Sequence, residues 1–249
     1  MTALAARFAR VAVVFGSVVG CSKPSNDSMP APSSSGASVA SAGAMASSAP
    51  SPSVKELATT PSDKLGTLAP NTGIPVGQRV PDANGRDLDG KEVALSALYA
   101  KGPILLVFYR GGWCPYCNSE IHSLTTAFEE FQKRGVTPVA VSVDTPDQEA
   151  KLKATYTIPF PVLSDGDASM IQAFHVVNHV DEATLAKMKG FGVDLEKYSG
   201  KTHHAIAIPA FFLVDRAGVV RWAHSDPDFK TRPSTALLGV IDAAKLSNP

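Results

Sequence analysis

Ile104-Leu105-Leu106-Val107-Phe108-Tyr109 is an unbroken apolar run, and from Cys117 onward the apolar positions Ile121, Leu124, Phe128 and Phe131 recur at helical spacing. A continuous β-branched and aromatic run reads as a strand buried on both faces, and the 3–4 residue recurrence reads as an amphipathic helix. Gly135 after Lys133-Arg134 stops that helix, and Pro138 to Val143 forms a second apolar strand. Strand, helix, strand in this order builds a right-handed parallel crossover. Further along, Gln148–Tyr156 and Ala168–Phe174 read as helices, and Ala210–Val214 and Val219–Ala223 flank the turn Asp215-Arg216-Ala217-Gly218 as a hairpin. Ser234–Lys245 closes as a helix, while Val80-Pro81-Asp82 and Gly90–Leu95 suggest a short hairpin or edge strands before the central strand. The pattern predicts an α/β, thioredoxin-like sandwich with a mixed central sheet and helices on both faces.

The ends carry a different texture. Arg7 and Arg10 precede an apolar stretch, Val11–Val19, too short to span a membrane comfortably, as in a secretion leader. Val18-Val19-Gly20-Cys21 resembles the lipobox of bacterial lipoproteins, which implies a lipid-bearing Cys21 and membrane attachment. In such proteins Ser22 after the cysteine implies sorting to the outer membrane. Residues 22 to about 55 are mostly Ser, Ala, Pro and Gly, a composition that buries too little apolar surface to offset its ordering entropy. The expected organisation is a leader over 1–20, Cys21 and a tether over 21–62, and one folded domain over 63–249. With 23 basic and 23 acidic residues the formal net charge is zero, so no global field points to nucleic acid or anionic lipid.

The chemistry concentrates where the apolar strand ends. Arg110-Gly111-Gly112-Trp113-Cys114-Pro115-Tyr116-Cys117 places two of the three cysteines at the start of a helix. There unpaired N–H groups and the helix dipole stabilise a thiolate, and residues three apart on the first turn can close a disulfide with little backbone movement. A loop this short adds little stability by closure, which disfavours a plain staple. A metal or copper-delivery site would need a distant histidine, such as His203 or His204, beside Cys114 and Cys117. No acidic residue lies within Ile104–Tyr109, so no buried proton acceptor is expected from that strand.

These motifs, with Val141-Ser142-Val143-Asp144, Phe160-Pro161-Val162-Leu163-Ser164-Asp165 and Phe212-Leu213-Val214-Asp215-Arg216, resemble the peroxiredoxins of the alkyl hydroperoxide reductase and thiol-specific antioxidant (AhpC/TSA) family from about Val80 to about Ala244. The Trp-Cys-Pro-Tyr-Cys segment is similar to a divergent branch that carries a thioredoxin-style cysteine pair. The resemblance implies reduction of hydrogen or organic peroxides through a cysteine sulfenic acid, closure of a Cys114–Cys117 disulfide, and regeneration by an external dithiol such as a thioredoxin-like protein, with no bound cofactor.

Where peroxiredoxins carry P-x-x-x-T-x-x-C, gapless alignment puts Arg110 at the proline, Cys114 at the threonine and Cys117 at the peroxidatic cysteine. A thioredoxin register instead makes Cys114 the exposed attacker and Cys117 the buried partner, and the helix-start argument leans towards Cys114. The arginine that supports the thiolate in the family falls on Pro209, which resembles the cis-proline facing the cysteine pair in thioredoxins. Arg110 is the candidate replacement for that arginine, and Trp113 is expected to shield the site by packing. Reduction or isomerisation of disulfides in exported proteins is the alternative activity.

Overall fold

The computed structural model describes residues 60–61, 65–233 and 236–246. The chain divides into 1–47 and 48–249, and every described residue lies in the second unit. The leader, Cys21 and nearly all of the tether lie outside the described residues.

Among the described residues the strands are β1 (Thr60–Pro61), β2 (Asn84–Arg86), β3 (Glu92–Ala94), β4 (Ile104–Phe108), β5 (Thr137–Ser142), β6 (Val162–Ser164), β7 (Val177–His179), β8 (Ala205–Ala207), β9 (Ala210–Val214), β10 (Val220–Ser225) and β11 (Thr231–Arg232). The helices are α1 (Leu95–Tyr99), α2 (Pro115–Thr126), α3 (Phe128–Lys133), α4 (Pro146–Tyr156), α5 (Ser169–Ala173), α6 (Glu182–Gly190), α7 (Leu195–Ser199) and α8 (Leu237–Ala244). Seven strands form one sheet in the order β10-β9-β4-β5-β6-β2-β3. β4, β5 and β6 run parallel, whereas β9 is antiparallel to β4 with Phe108 opposite Ala210. The expected mixed sheet is therefore present.

β4 is buried at every position because both faces are covered. Leu106 and Phe108 join a core completed by Phe174, Phe212 and Leu95, while Leu105, Val107 and Tyr109 face a second core with Ile121, Leu124, Phe131 and Ile241. This period-two partition is what a strand between two helical layers requires. Both cysteines belong to the second core, against α2.

Local chemistry explains the starts and stops. Pro115 and Pro146 open α2 and α4, where a missing N–H costs nothing. Gly135 ends α3 at φ 67°, as the sequence predicts. The β9–β10 turn is built as expected, with the Asp215 carboxylate accepting from the Ala217 and Val219 N–H groups, both at 2.9 Å. The expected early hairpin is displaced onto β2 and β3, with Asn84 opposite Ala94. Between α5 and β9 the structure adds an excursion absent from the sequence expectations: β7 pairs antiparallel with β8, and α6 and α7 lie between them.

Candidate active site

β4 delivers the chain to the site. After Tyr109, Arg110-Gly111-Gly112-Trp113 turns across the sheet end and Cys114 becomes the N-cap of α2, at φ −90° and ψ 112°. Gly111 stands at φ 143°, and a Cβ there would come within 2.3 Å of Trp113 Nε1 and 2.7 Å of Asp144 Oδ1, so the turn demands glycine. The Cys114 N–H donates to Gly111 O at 3.1 Å, and Asn118 on α2 donates its amide to Gly112 O at 2.9 Å.

Both cysteines are reduced, and each exposes only 1% of its surface. The Cys114 thiol is held down to about 6, first by a hydrogen bond from the Cys117 thiol, then by the Cys117 backbone N–H and the charges of Arg110 and Arg232, all working against burial. Cys117 is pushed up by burial and by its position as donor to an anionic Cys114, although Arg232 and the Arg110 backbone N–H oppose this. The pair thus shares one proton on Cys117 and one negative charge on Cys114, with Cys114 at the helix start.

Arg232 is the feature sequence reasoning missed. Its Nη2 lies 3.4 Å from Cys117 Sγ, and the residue is buried at 3% exposure. It arrives from β11, beyond β10. Arg110, the expected source of planar donors, stacks its guanidinium between the rings of Trp113 at 5.0 Å and Phe229 at 4.2 Å, so its charge acts at the edge of the site. Phe229 also meets Tyr116 edge-on at 5.5 Å. Trp113, half-buried, packs against both cores.

Pro209 precedes Ala210, and the antiparallel register that sets Phe108 opposite Ala210 brings Pro209 beside Tyr109, at the sheet end from which the cysteine loop springs. Its carbonyl accepts from the Asp226 N–H at 3.1 Å. The two histidines are engaged elsewhere. His203 Nδ1 accepts from the Ala205 N–H at 2.9 Å and its Nε2 lies 3.2 Å from Gly166 O, while His204 Nε2 lies 2.8 Å from Glu196 Oε1. Among the described residues no group of three or more His, Cys, Asp or Glu side chains is placed to hold a metal, so the geometry does not complete a Cys114–Cys117–His centre.

Buried acids, not expected from the sequence, do reach the site from outside β4. Asp144, just past β5, accepts the Gly112 N–H at 2.8 Å, and Glu149 on α4 accepts from the hydroxyls of Tyr109 and Ser142. Burial pushes Asp144 up to about 7, opposed by the Gly112 N–H and the Trp113 indole; burial and the Asp144 charge push Glu149 up to about 8. Tyr109 is pushed upward by burial and by both carboxylates, so its phenol stays a donor.

A peroxiredoxin from Thermoplasma volcanium is 26% identical over 164 residues, covering 59% of this chain and 70% of that one. The thiol-disulfide oxidoreductase ResA of Bacillus subtilis is 32% identical over 114 residues, covering 44% and 60%. The crystal structure of peroxidoxin BcpB from Mycobacterium tuberculosis superposes with a TM-score of 0.55 at 21% identity, over 68% of this chain and 96% of that one, a likeness of fold. The AhpC/TSA family profile matches residues 76–223, and with a thioredoxin-type sheet, a helix-starting cysteine pair and a buried arginine at its sulfur, the chain belongs to the AhpC/TSA family.

Proposed function

We propose that this chain is a thiol-dependent peroxidase with antioxidant activity, in which Cys114 attacks and Cys117 resolves. The observation that carries the assignment is the unequal pair: both sulfurs are equally buried, so Cys114 is not the exposed thiol that a thioredoxin register implies, but Cys114 caps the helix and is held anionic near neutrality, while Cys117 is pushed up and donates its proton. The Cys114 thiolate attacks the O–O bond of a hydroperoxide; one oxygen stays on sulfur as a sulfenic acid and the other leaves as alkoxide or hydroxide, taking a proton. The Cys117 sulfur then attacks the Cys114 sulfur, water departs, and a disulfide closes. An external dithiol returns the pair to the reduced state through a mixed disulfide. Arg110 and Arg232 stabilise the anionic sulfur, Trp113 limits water at the site, and Pro209 forms the wall beside Tyr109 against which substrate rests.

The ResA relatives favour a second reading, thiol–disulfide exchange on exported proteins. Stopped-flow oxidation of the reduced protein by hydrogen peroxide, compared with its rate of reducing a protein disulfide, separates the two. Peroxide oxidation faster by tenfold or more, with a dimedone adduct on Cys114 in Cys117→Ser, supports the peroxidase. Absence of an adduct in either single serine variant, with disulfide exchange intact, supports the reductase.

The residues before the domain support a location as well. The lipobox-like Val18–Cys21 and the Ser/Ala/Pro tether support attachment through lipid on Cys21 at the periplasmic face of the outer membrane of a bacterium. Labelled palmitate incorporated into the wild type and absent from Cys21→Ala is the expected result.

A further inference from the structure

Asp144 and Glu149 are buried at 1% and 0% exposure, and one hydroxyl joins them. Ser142 Oγ donates to Glu149 Oε1 at 2.5 Å and accepts the Asp144 N–H at 3.0 Å, while the Tyr109 hydroxyl donates to the other oxygen of Glu149. Asp144 Oδ2 in turn accepts the Gly112 N–H, two residues before Cys114. Its other oxygen, Oδ1, is buried beside the Trp113 indole without a well-formed hydrogen bond. Asp144 also lines a cavity of about 170 Å³ with Gly112, Asn118, Lys151, Tyr156 and Tyr198, on the α4 side of the cysteine loop. Asn118 Oδ1 is a further buried acceptor with no partner there. A polar cavity of this size holds water, which gives Asp144 a route for protons that does not pass the sulfurs.

Burying a carboxylate costs free energy unless strong partners take it up, and the Gly112 N–H is such a partner. An ionised carboxylate accepts an N–H about twice as strongly as a neutral carboxyl does, and a protonated one can turn its O–H towards the cavity water instead. Gly112 is otherwise held through its carbonyl by Asn118, so loss of the carboxylate frees one side of the peptide that positions Trp113 and Cys114.

We propose that Asp144, with Glu149 behind it, is a positioning residue whose ionisation locks the Gly111–Trp113 turn and so sets the reactivity of Cys114. This rests on Cys114 being the attacking thiol. The groups that face Asp144 are Tyr109 and Trp113 from the β4 side, Glu149, Lys151 and Tyr156 from α4, and Tyr198 from α7; the cysteines lie beyond the turn. Cys114 reactivity therefore depends on two ionisations, its own and that of Asp144.

The test is the pH dependence of iodoacetamide alkylation in the reduced full chain, with mass spectrometry assigning the modified cysteine, because alkylation reads the thiolate without any peroxide. In the wild type the Cys114 rate should rise in two steps, the thiol near 6 and Asp144 near 7. Asp144→Asn keeps an acceptor for Gly112 but not the charge, so the profile should collapse to one step with a plateau about fivefold lower. Glu149→Gln should keep the second step, since Glu149 titrates above Asp144 and is still neutral when Asp144 ionises; a second step lost in this variant would assign it to Glu149, which keeps the proposal testable if Asp144→Asn fails to fold. A single step in the wild type, a second step that survives Asp144→Asn, or one that is lost in Glu149→Gln overturns the proposal. Two-step alkylation in a protein that peroxide does not oxidise would leave this inference standing and remove the peroxidase reading alone.

Discussion

Arg232 and Cys117 meet across 115 positions of chain, guanidinium nitrogen to sulfur at 3.4 Å. The contact puts a buried positive charge beside a pair in which both sulfurs are buried. Removing an anion from water costs several kcal/mol unless opposite charge and donors replace the lost hydration; Cys117 supplies the donors to Cys114, and Arg232 adds its charge from inside the core. Arg232→Ala should therefore raise the pH at which Cys114 becomes reactive and slow alkylation at pH 7, by no more than about tenfold, the effect of one pKa unit. Arg232→Lys should fall between, keeping the charge without the planar fork. Alkylation rates across pH 4.5–9 check the order on this roughly one-unit scale.

Phe229 is the candidate gate. It sits on Arg110 and against Tyr116, packed on the core cluster that holds both sulfurs, each of which exposes 1% of its surface. A small peroxide needs little opening, whereas a bulky aromatic disulfide reagent needs this ring to move. Phe229→Ala should speed reaction with Ellman's reagent by roughly tenfold while changing the hydrogen peroxide rate by less than about threefold, since releasing one aromatic contact corresponds to about 1 kcal/mol. Equal acceleration of both reactions would show that Phe229 does not gate by size.

Asp144 and Glu149 also tie stability to pH. Both carboxyls hold their protons longer in the folded protein than in the unfolded chain, being pushed up to about 7 and about 8. Between the unfolded carboxylate range near pH ~4 and those values the folded state binds more protons, so stability falls as pH rises through this window. Urea unfolding at pH 5 and at pH 8 should give a lower midpoint at the higher pH. Asp144→Asn or Glu149→Gln should flatten the difference.

Gly111→Ala tests the turn itself. The backbone there, at φ 143°, disfavours any side chain, and the added carbon would fall 2.3 Å from the Trp113 indole nitrogen. We expect a loss of about 2–4 kcal/mol from strain and overpacking together. Near-ultraviolet circular dichroism should report displacement of Trp113, one of two tryptophans in the chain.

The frame was readable in the sequence because β4, β5 and β9 are apolar runs bounded by glycine, proline or aspartate, and because α2 repeats its apolar residues every turn. Cys114 and Cys117 were readable for the same reason: their spacing is local. Arg232 carries no local mark; an arginine before a proline reads as solvated until the chain folds it back over α2. Asp144 and Glu149 were hidden differently. Asp144 was visible as part of a motif, but its burial depends on α4 crossing the end of β5, and Glu149 sits on a helix with no strong apolar stripe, among Asp147, Gln148 and Lys151. The α6 segment, Glu182–Gly190, lacks apolar periodicity because no residue of it is buried; its one local cue is Asp181, whose carboxylate caps the helix at the Thr184 N–H, 2.9 Å away.

The division of labour between the two cysteines yields the sharpest expectation. The first cause of the anionic character of Cys114 is the hydrogen bond donated by the Cys117 thiol, ahead of the backbone N–H and of either arginine. A hydroxyl can make the same donation, whereas a methyl group cannot. Cys117→Ser should thus leave Cys114 reactive near neutrality, while Cys117→Ala should move its reactivity to higher pH, although both variants equally lack a resolving thiol and neither can close the disulfide. Cys114→Ser should leave Cys117 nearly inert below pH ~9, because burial still pushes that thiol above its ordinary value near 8.5. Dimedone trapping of the sulfenic acid at pH 6, 7 and 8 in the three variants reads all of this at once. Identical pH profiles for Cys117→Ser and Cys117→Ala would show that the helix start and the arginines alone sustain the thiolate, and a Cys117 adduct dominating in Cys114→Ser would reverse the assignment of attacker and resolver.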